Sequence, residues 1–174
     1  MRAPVSRETV RGYFDVLVDT LVVRSVEPFT KSTGRRLVQH PRYYVFDVGV
    51  LNGALKNFEV SADRSGRLFE HLVLQLIVSE AACRDLDYRI SVYRTEAGAE
   101  VDLVVELRGL LFAIEVKASR TVTRGDLRGL KSFGEFYGRR HTPLVVYRGD
   151  RPMTIDGVDI LPIDKALGAL GFGP

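Results

Sequence analysis

The chain has 174 residues, 45% of them hydrophobic and 27% charged, which suits a soluble globular domain, or one with a small appendage, that folds without staples. Its single cysteine, Cys83, excludes an internal disulfide and is read as buried packing, no Cys/His set has zinc spacing, no apolar run approaches the ~20 residues of a membrane span, and Met1 to Val5 lack an apolar signal core; the expectation is a cytoplasmic protein off the membrane. The formal charge is +3 and arginines outnumber lysines 20 to 5, a bias compatible with nucleic acid that genomic base composition produces equally well.

Ser6 stands where a helix cap belongs, and Val10, Tyr13, Phe14, Leu17, Val18, Leu21 and Val22 recur at helical spacing, which predicts a helix from about residue 7 to about residue 20. The chain then turns β-rich from Leu21 to Glu27 and is stopped by Pro28. A turn cluster, Thr30 to Gly34, precedes extended stretches at Arg35 to Gln39 and Tyr43 to Phe46. A helix feeding a β-ribbon with a basic tip (Lys31, Arg35, Arg36) is the layout of the second half of a winged helix, and would set Arg7 and Arg11 toward a DNA groove. A small packing subdomain with solvated arginines explains the same pattern. Asp47 is expected to cap a short helix over Val48 to Leu55.

The polar stretch from Lys56 to Ser65 carries the internal boundary, giving regions 1–60 and 61–174. From Gly66 to about Ala82 a helix presents Phe69, Leu72, Val73, Leu76 and Ile77 on its apolar face, with Glu70 at the edge of that face and His71 and Gln75 pointing away. A strand follows over Leu86 to Arg94.

Two β-forming apolar runs, Gly98 to Leu107 and Leu110 to Lys117, flank Arg108-Gly109 and predict a hairpin. With those two residues as the loop, positions summing to 217 face each other, so Asp102 lies opposite Glu115 and Glu100 opposite Lys117, all on one face. The reverse face holds Val101, Leu103, Val105, Leu107, Leu110, Phe112, Ile114 and Val116 and is read as core. Like charges directly opposite each other on a sheet are unfavourable. Two readings of them stand: a surface charge cluster compensated by Lys117, or a hard-oxygen cradle for Mg²⁺ or Mn²⁺ with the lysine free to meet a phosphate or an attacking water.

Beyond the hairpin, Leu127, Leu130, Phe133, Phe136 and Tyr137 mark a helix from Thr123 to about Tyr137. Pro143 to Tyr147 is a buried-type strand, a weaker strand or helix follows Met153, and Gly168 to Pro174 reads as a loose tail. Helices and strands therefore alternate as α-β-β-β-α-β around a mixed sheet, an α/β (α+β) class.

With Asp102 on one strand, Glu115-Val116-Lys117 on the next and Glu70 on the preceding helix, the region from about Gly66 to Tyr147 resembles the PD-(D/E)xK nuclease superfamily, whose core is restriction-endonuclease-like. More narrowly, the opening Ser6-to-Val22 helix, Tyr43 to Gly49, Gly66 to Glu70, Gly98 to Asp102 and Ile114 to Lys117 make the whole chain similar to the uncharacterised C-terminal module of prokaryotic AAA-type ATPases. No GxxxxGK[ST] phosphate loop is present, so ATP hydrolysis is not carried over. The resemblance implies that Asp102, Glu115, Glu70 and the Val116 carbonyl hold Mg²⁺ or Mn²⁺, that Lys117 orients water or meets the scissile phosphate, and that Glu100 is an outer-shell or alternative acid. The expected activity is phosphodiester hydrolysis of DNA. A catalytically silent module that binds DNA or an ATPase partner, and a DNA reader built on the N-terminal helix and ribbon, are the rivals, and a homo-oligomer is compatible with each.

Overall fold

The computed structural model describes residues 5–30 and 40–173. In chain order it runs α1 (Arg7–Asp19), β1 (Val23–Pro28), β2 (Arg42–Val45), α2 (Val48–Ala54), α3 (Ala62–Cys83), β3 (Tyr88–Arg94), β4 (Glu100–Leu107), β5 (Leu110–Lys117), a short 3₁₀ turn (Arg124–Leu127), α4 (Arg128–Tyr137), β6 (Thr142–Tyr147), β7 (Met153–Ile155), β8 (Val158–Pro162), α5 (Ile163–Leu167) and an irregular helical turn (Gly168–Phe172). The strands form one mixed eight-stranded sheet in the order β2-β1-β3-β4-β5-β6-β8-β7. The class is α+β, and α3-β3-β4-β5-α4-β6 is the alternation expected from sequence.

Arg108 and Gly109 both take left-handed backbone, φ 50° and 74°, the requirement of the two-residue turn whose twist matches paired strands. From that turn the ladder runs in the predicted register, Leu107 opposite Leu110 through Leu103 opposite Ile114. On the other side β4 pairs with β3, where Ser91 faces Val104 but Tyr93 faces Val101. Asp102 and Leu103 thus stand opposite Val92 alone, a β-bulge that turns the remainder of β4 over.

The bulge corrects the face assignment. Leu103, Val105, Leu107, Phe112, Ile114 and Val116 pack under α3 with Val73, Leu74, Ile77 and Ala81, but Val101 joins the opposite core with Val104, Ala113, Leu130 and Phe133 beneath α4. Leu110, expected inside, is 60% exposed beside the turn. The sheet is therefore buried on both faces, as a sheet with helices on each side must be. The face expected to carry Glu100, Asp102, Glu115 and Lys117 also holds core residues, Val104 and Ala113 among them.

Local expectations hold at both N-terminal helices. Ser6 Oγ accepts from the Thr9 amide at 3.1 Å and Asp47 Oδ1 from the Val50 amide at 2.9 Å, each satisfying an amide that has no partner within its helix. The β1–β2 ribbon is antiparallel, and it continues the sheet, because Glu27 and Pro28 pair in parallel with Ser91 and Val92 of β3. Its proposed basic tip, Lys31, Arg35 and Arg36, lies outside the described residues.

Three other readings are corrected. α3 begins at Ala62, four residues before the expected start, and its His71 and Gln75 are covered by the ribbon and the segment after it: the His71 ring bonds the Val45 carbonyl, and Gln75 Nε2 donates to Asp47 Oδ2 at 3.0 Å. Leu72, expected on the apolar face, is exposed in turn. Cys83 is exposed, at the last turn of α3. The C-terminal stretch is no loose tail: Leu170 and Phe172 are buried against the α3 side of the sheet, and Arg84 Nη2 donates to the Phe172 carbonyl at 3.0 Å. Among the described residues no helix is long and apolar enough to cross a membrane.

α4 lies so close to the start of β4 that a Cβ on Gly129 would stand 1.7 Å from the Glu100 carbonyl oxygen. Gly129→Ala is therefore expected to destabilise by roughly 1–3 kcal/mol, the scale of overpacking. Gly66→Ala, in open space on a helix, should stabilise by about 0.5–1 kcal/mol. Thermal melts of the two variants check this, and equal stability of Gly129→Ala and the original would contradict the close approach.

Candidate functional site

The hairpin ladder stops one rung short of the predicted acid pair. Beyond Leu103 opposite Ile114, Asp102 turns its carboxylate to the neighbouring strand, where Oδ2 accepts the Val116 amide at 2.8 Å. A side chain there replaces a backbone acceptor, which is how the Val116 amide is paired where the ladder stops. Glu115, two residues before Lys117, lies on the α4 side, with Oε2 3.5 Å from where a Gly129 Cβ would be. Its Oε1 meets Lys117 Nζ at 2.8 Å, whereas Oε2 is buried with no hydrogen-bond partner.

Burial, and then repulsion from a neighbouring acid, govern these two carboxyls. Loss of water, and then the charge of Glu70, raise Asp102 to about 6, against the pull of the Val116 amide, Arg42 and Lys117. Burial, and then Asp102, raise Glu115 to about 7 despite the adjacent ammonium. Lys117 is desolvated too, yet Glu115 more than offsets that and its pKa rises, so it is a cation at neutral pH. It also lies 3.6 Å from Asp126 Oδ1.

Glu70 projects from α3 as the sequence suggests, but it is engaged elsewhere. Arg42 Nη1 donates to its Oε1 at 3.0 Å, and the Tyr44 hydroxyl donates to the same oxygen. The Arg42 guanidinium also pairs with Glu100 and stands 3.8 Å from Asp102 Oδ1, so one cation from β2 bridges three acids on two other elements. Burial opposes the charge on Arg42, and Glu70 with Tyr44 outweighs it, leaving the guanidinium more firmly protonated than usual. Arg94 Nε adds a contact to Glu100 at 3.7 Å. Glu100 consequently faces Arg42 and Arg94, not Lys117 as the unbulged register predicted.

The structure thus brings Asp102, Glu115 and Lys117 together at the open end of the hairpin, with Val116 contributing its amide to Asp102. Glu70 reaches the same neighbourhood but is held by Arg42 and Tyr44. Two participants were missed. Thr123-x-x-Asp126 is a capping-box spacing ahead of an apolar helix, and Asp126 Oδ2 accepts from the Thr123 amide at 2.8 Å, which fixes the carboxylate beside Lys117. Arg42, after Pro41 in an extended stretch, carries no comparable signal.

Among the described residues no three His, Cys, Asp or Glu side chains converge to hold a metal ion as they stand. A hard cation nonetheless suits the Asp102–Glu115 pair. Both are oxygen donors, both are held above the usual carboxylate range by burial and then by a neighbouring acid, and Oε2 of Glu115 has no donor.

Such a fold and site define an α+β protein with an acid–lysine cluster where its central hairpin opens. The chain belongs to the family described as domain of unknown function DUF4143, matched over residues 65–166, and residues 1–61 match a second domain of unknown function, DUF8612. It is similar to the uncharacterized protein Rv2008c of Mycobacterium tuberculosis and to the uncharacterized protein Mb2031c of Mycobacterium bovis, each 34% identical over 132 residues. That stretch is 74% of this chain and 29% of either relative.

The raised carboxyls set a pH dependence. A folded-state pKa above the unfolded one means the folded protein binds the proton more tightly, so stability is present below the unfolded value and lost as pH rises through the folded value. For Asp102 the loss runs from near pH 4 to about 6, on the order of 1–3 kcal/mol at ~1.4 kcal/mol per unit. Asp102→Asn removes it, so the melting temperature of Asp102→Asn relative to the original should climb by several degrees between pH 4.5 and pH 8 in chelated buffer. A constant difference across that range would place the carboxyl in water.

Proposed function

We propose that the chain is a metal-dependent DNA phosphodiesterase module of the PD-(D/E)xK kind. The observation that carries the reading is the Asp102–Glu115 pair, withdrawn from water and left with an orphan oxygen on Glu115, beside a lysine two residues further on that another carboxylate holds in place. Asp102 and Glu115 would hold Mg²⁺ or Mn²⁺, with Glu70 and the Val116 carbonyl as further donors. Bound there, the ion would supply Lewis acidity and bring the pKa of a coordinated water toward neutrality.

The chain's own groups do the rest. The Val116 amide holds Asp102 in one orientation, as a ligand must be held. Lys117 Nζ, anchored by Asp126, is placed to donate to a phosphate oxygen as negative charge builds on it, or to orient the attacking water. Backbone phosphates of the DNA would be met by arginines around the site and not by the net charge of +3. Association with an AAA-type ATPase, which the resemblance implies, would put cleavage under the control of a motor.

A second reading has its own support: the site's cations are already paired within the chain, Lys117 with Glu115 and Asp126, and Arg42 with Glu70, Glu100 and Asp102. A module of this kind would engage DNA or a partner without cutting.

Incubation with plasmid, linear duplex and hairpin DNA in Mn²⁺ or Mg²⁺ separates the two. The nuclease is expected to cut with a strict divalent requirement, to be inactive as Asp102→Asn, and to lose about 10²–10³-fold as Lys117→Ala, the scale for removing a donor to developing charge. Binding without cutting of any of these DNAs would establish the silent module. Ion binding is read independently by stability. A hundredfold excess over Kd contributes about 2.7 kcal/mol, or on the order of 5–11 °C for a chain of this size, and Asp102→Asn should lose most of it. No shift in either protein at millimolar Mn²⁺ would remove the metal site.

A further inference from the structure

We infer that Arg42 is a resident cation that competes with the divalent ion, so that residues from the N-terminal region gate the acidic site. The inference rests on the metal-site reading above and extends it to a residue outside the acid–lysine motif. Among the described residues the guanidinium of Arg42 is the one cation that reaches Glu70, Glu100 and Asp102 together. It is planar, permanently charged and rich in donors, the properties that let arginine stand among several carboxylates. It neutralises part of the charge that a divalent ion would neutralise, at a distance of 3.8 Å from the Asp102 oxygen an ion would use.

Arg42 also holds Glu70 away. With its Oε1 shared between the Arg42 guanidinium and the Tyr44 hydroxyl, Glu70 can give that oxygen to a ligand set with Asp102 and Glu115 only after letting go of β2. That commitment explains why acids close in space do not converge as a ready ligand set. Release is sterically open, because Arg42 and Glu70 line a cleft of about 380 Å³ together with Arg67 and Leu51. The guanidinium has somewhere to go, and a DNA phosphate entering the cleft is the kind of group that could take it up, since arginine binds phosphate as readily as carboxylate.

On this account the N-terminal region contributes an inhibitory contact. Anything that draws β2 away, or offers Arg42 a better anion, opens the site to metal. Removing the guanidinium should therefore raise metal affinity even though it takes away a native contact, the reverse of what a purely structural arginine would do.

The test is Mn²⁺ affinity, followed by the free-ion electron paramagnetic resonance signal, on the full chain and three variants. Arg42→Gln removes the charge. Arg42→Lys keeps a charge but loses the planar fork that spans three acids, and serves if Arg42→Gln fails to fold. Both are expected to bind Mn²⁺ more tightly than the original, Arg42→Gln by at least about tenfold, because it removes a full positive charge held within about 4 Å of an oxygen the ion would use. Without metal, Arg42→Gln should melt lower than the original and recover on adding Mn²⁺. The double variant Arg42→Gln/Asp102→Asn should lose the gained affinity; if it keeps the gain, the ion sits elsewhere and the inference fails. Equal or weaker binding by both Arg42 variants, with binding by the original, would overturn the gate and leave the metal site standing. No Mn²⁺ binding by any of the proteins would overturn both.

Discussion

A two-residue turn decides where every charge in the site falls. Because Arg108 and Gly109 both accept left-handed backbone, β5 is counted off against β4 without slippage, and Glu115 and Lys117 arrive at the level of Asp102. A loop longer by one residue would exchange the faces of β5 and put Glu115 under α3. The second constraint is the bulge. By setting Asp102 and Leu103 against Val92 alone, it frees the Asp102 carboxylate from the alternation, lets it accept the Val116 amide, and sends Glu100 toward Arg42. Register and bulge place Glu100, Asp102 and Glu115, and with Glu70 from α3 and Asp126 from the 3₁₀ turn five acids from four segments surround one opening.

Those acids are there at the expense of stability. Glu70, Glu100, Asp102, Glu115 and Asp126 face Arg42, Arg94 and Lys117, so the cluster is short of positive charge. The shortage is felt most at Asp102 and Glu115, because α4 and the sheet withdraw them from water and their charges are screened least there. A surface cluster of the same composition would titrate normally, since solvent screens exposed pairs almost completely. Carboxyls held near neutrality at about 6 and 7 are a feature of functional sites more than of structural ion pairs, which lower carboxyl pKa values. The same repulsion that weakens the protein is what a cation would relieve.

Much of this was legible in the sequence, for identifiable reasons. The turn was marked by Arg-Gly between two β-rich runs, and once the loop length is known the register follows from counting. Glu70 was marked by its angle on the helix. What escaped detection depended on neighbours distant in sequence. The bulge has no signature in Gly98 to Leu107, because it is imposed by pairing with β3. His71 and Gln75 looked solvent-facing since a helical wheel shows one apolar stripe, whereas α3 packs on the sheet with that stripe and under the ribbon with its flank. Leu170 and Phe172 sit among glycines that read as a tail, but two large apolar side chains suffice to dock the irregular turn beside Ala166. Cys83 followed the general tendency of cysteine to be buried and was misplaced by it; its helix ends at the surface.

The site is also less local than its motif. Residues 65–166, which carry the acids and Lys117, match one family, whereas Arg42 and Tyr44 come from the stretch that matches another. In the fold the two stretches share one sheet, through the parallel pairing of β1 with β3, and share side-chain bonds at His71, Gln75 and Glu70. An acid cluster short of counter-charge would become shorter still without the first stretch, because Arg42 is the cation of β2 that reaches Glu70, Glu100 and Asp102. The N-terminal ribbon therefore supplies backbone partners to the sheet edge and charge to the site in the same few residues. Any displacement of that edge, by a partner or by DNA, alters the electrostatics at Asp102 without touching the hairpin that carries it.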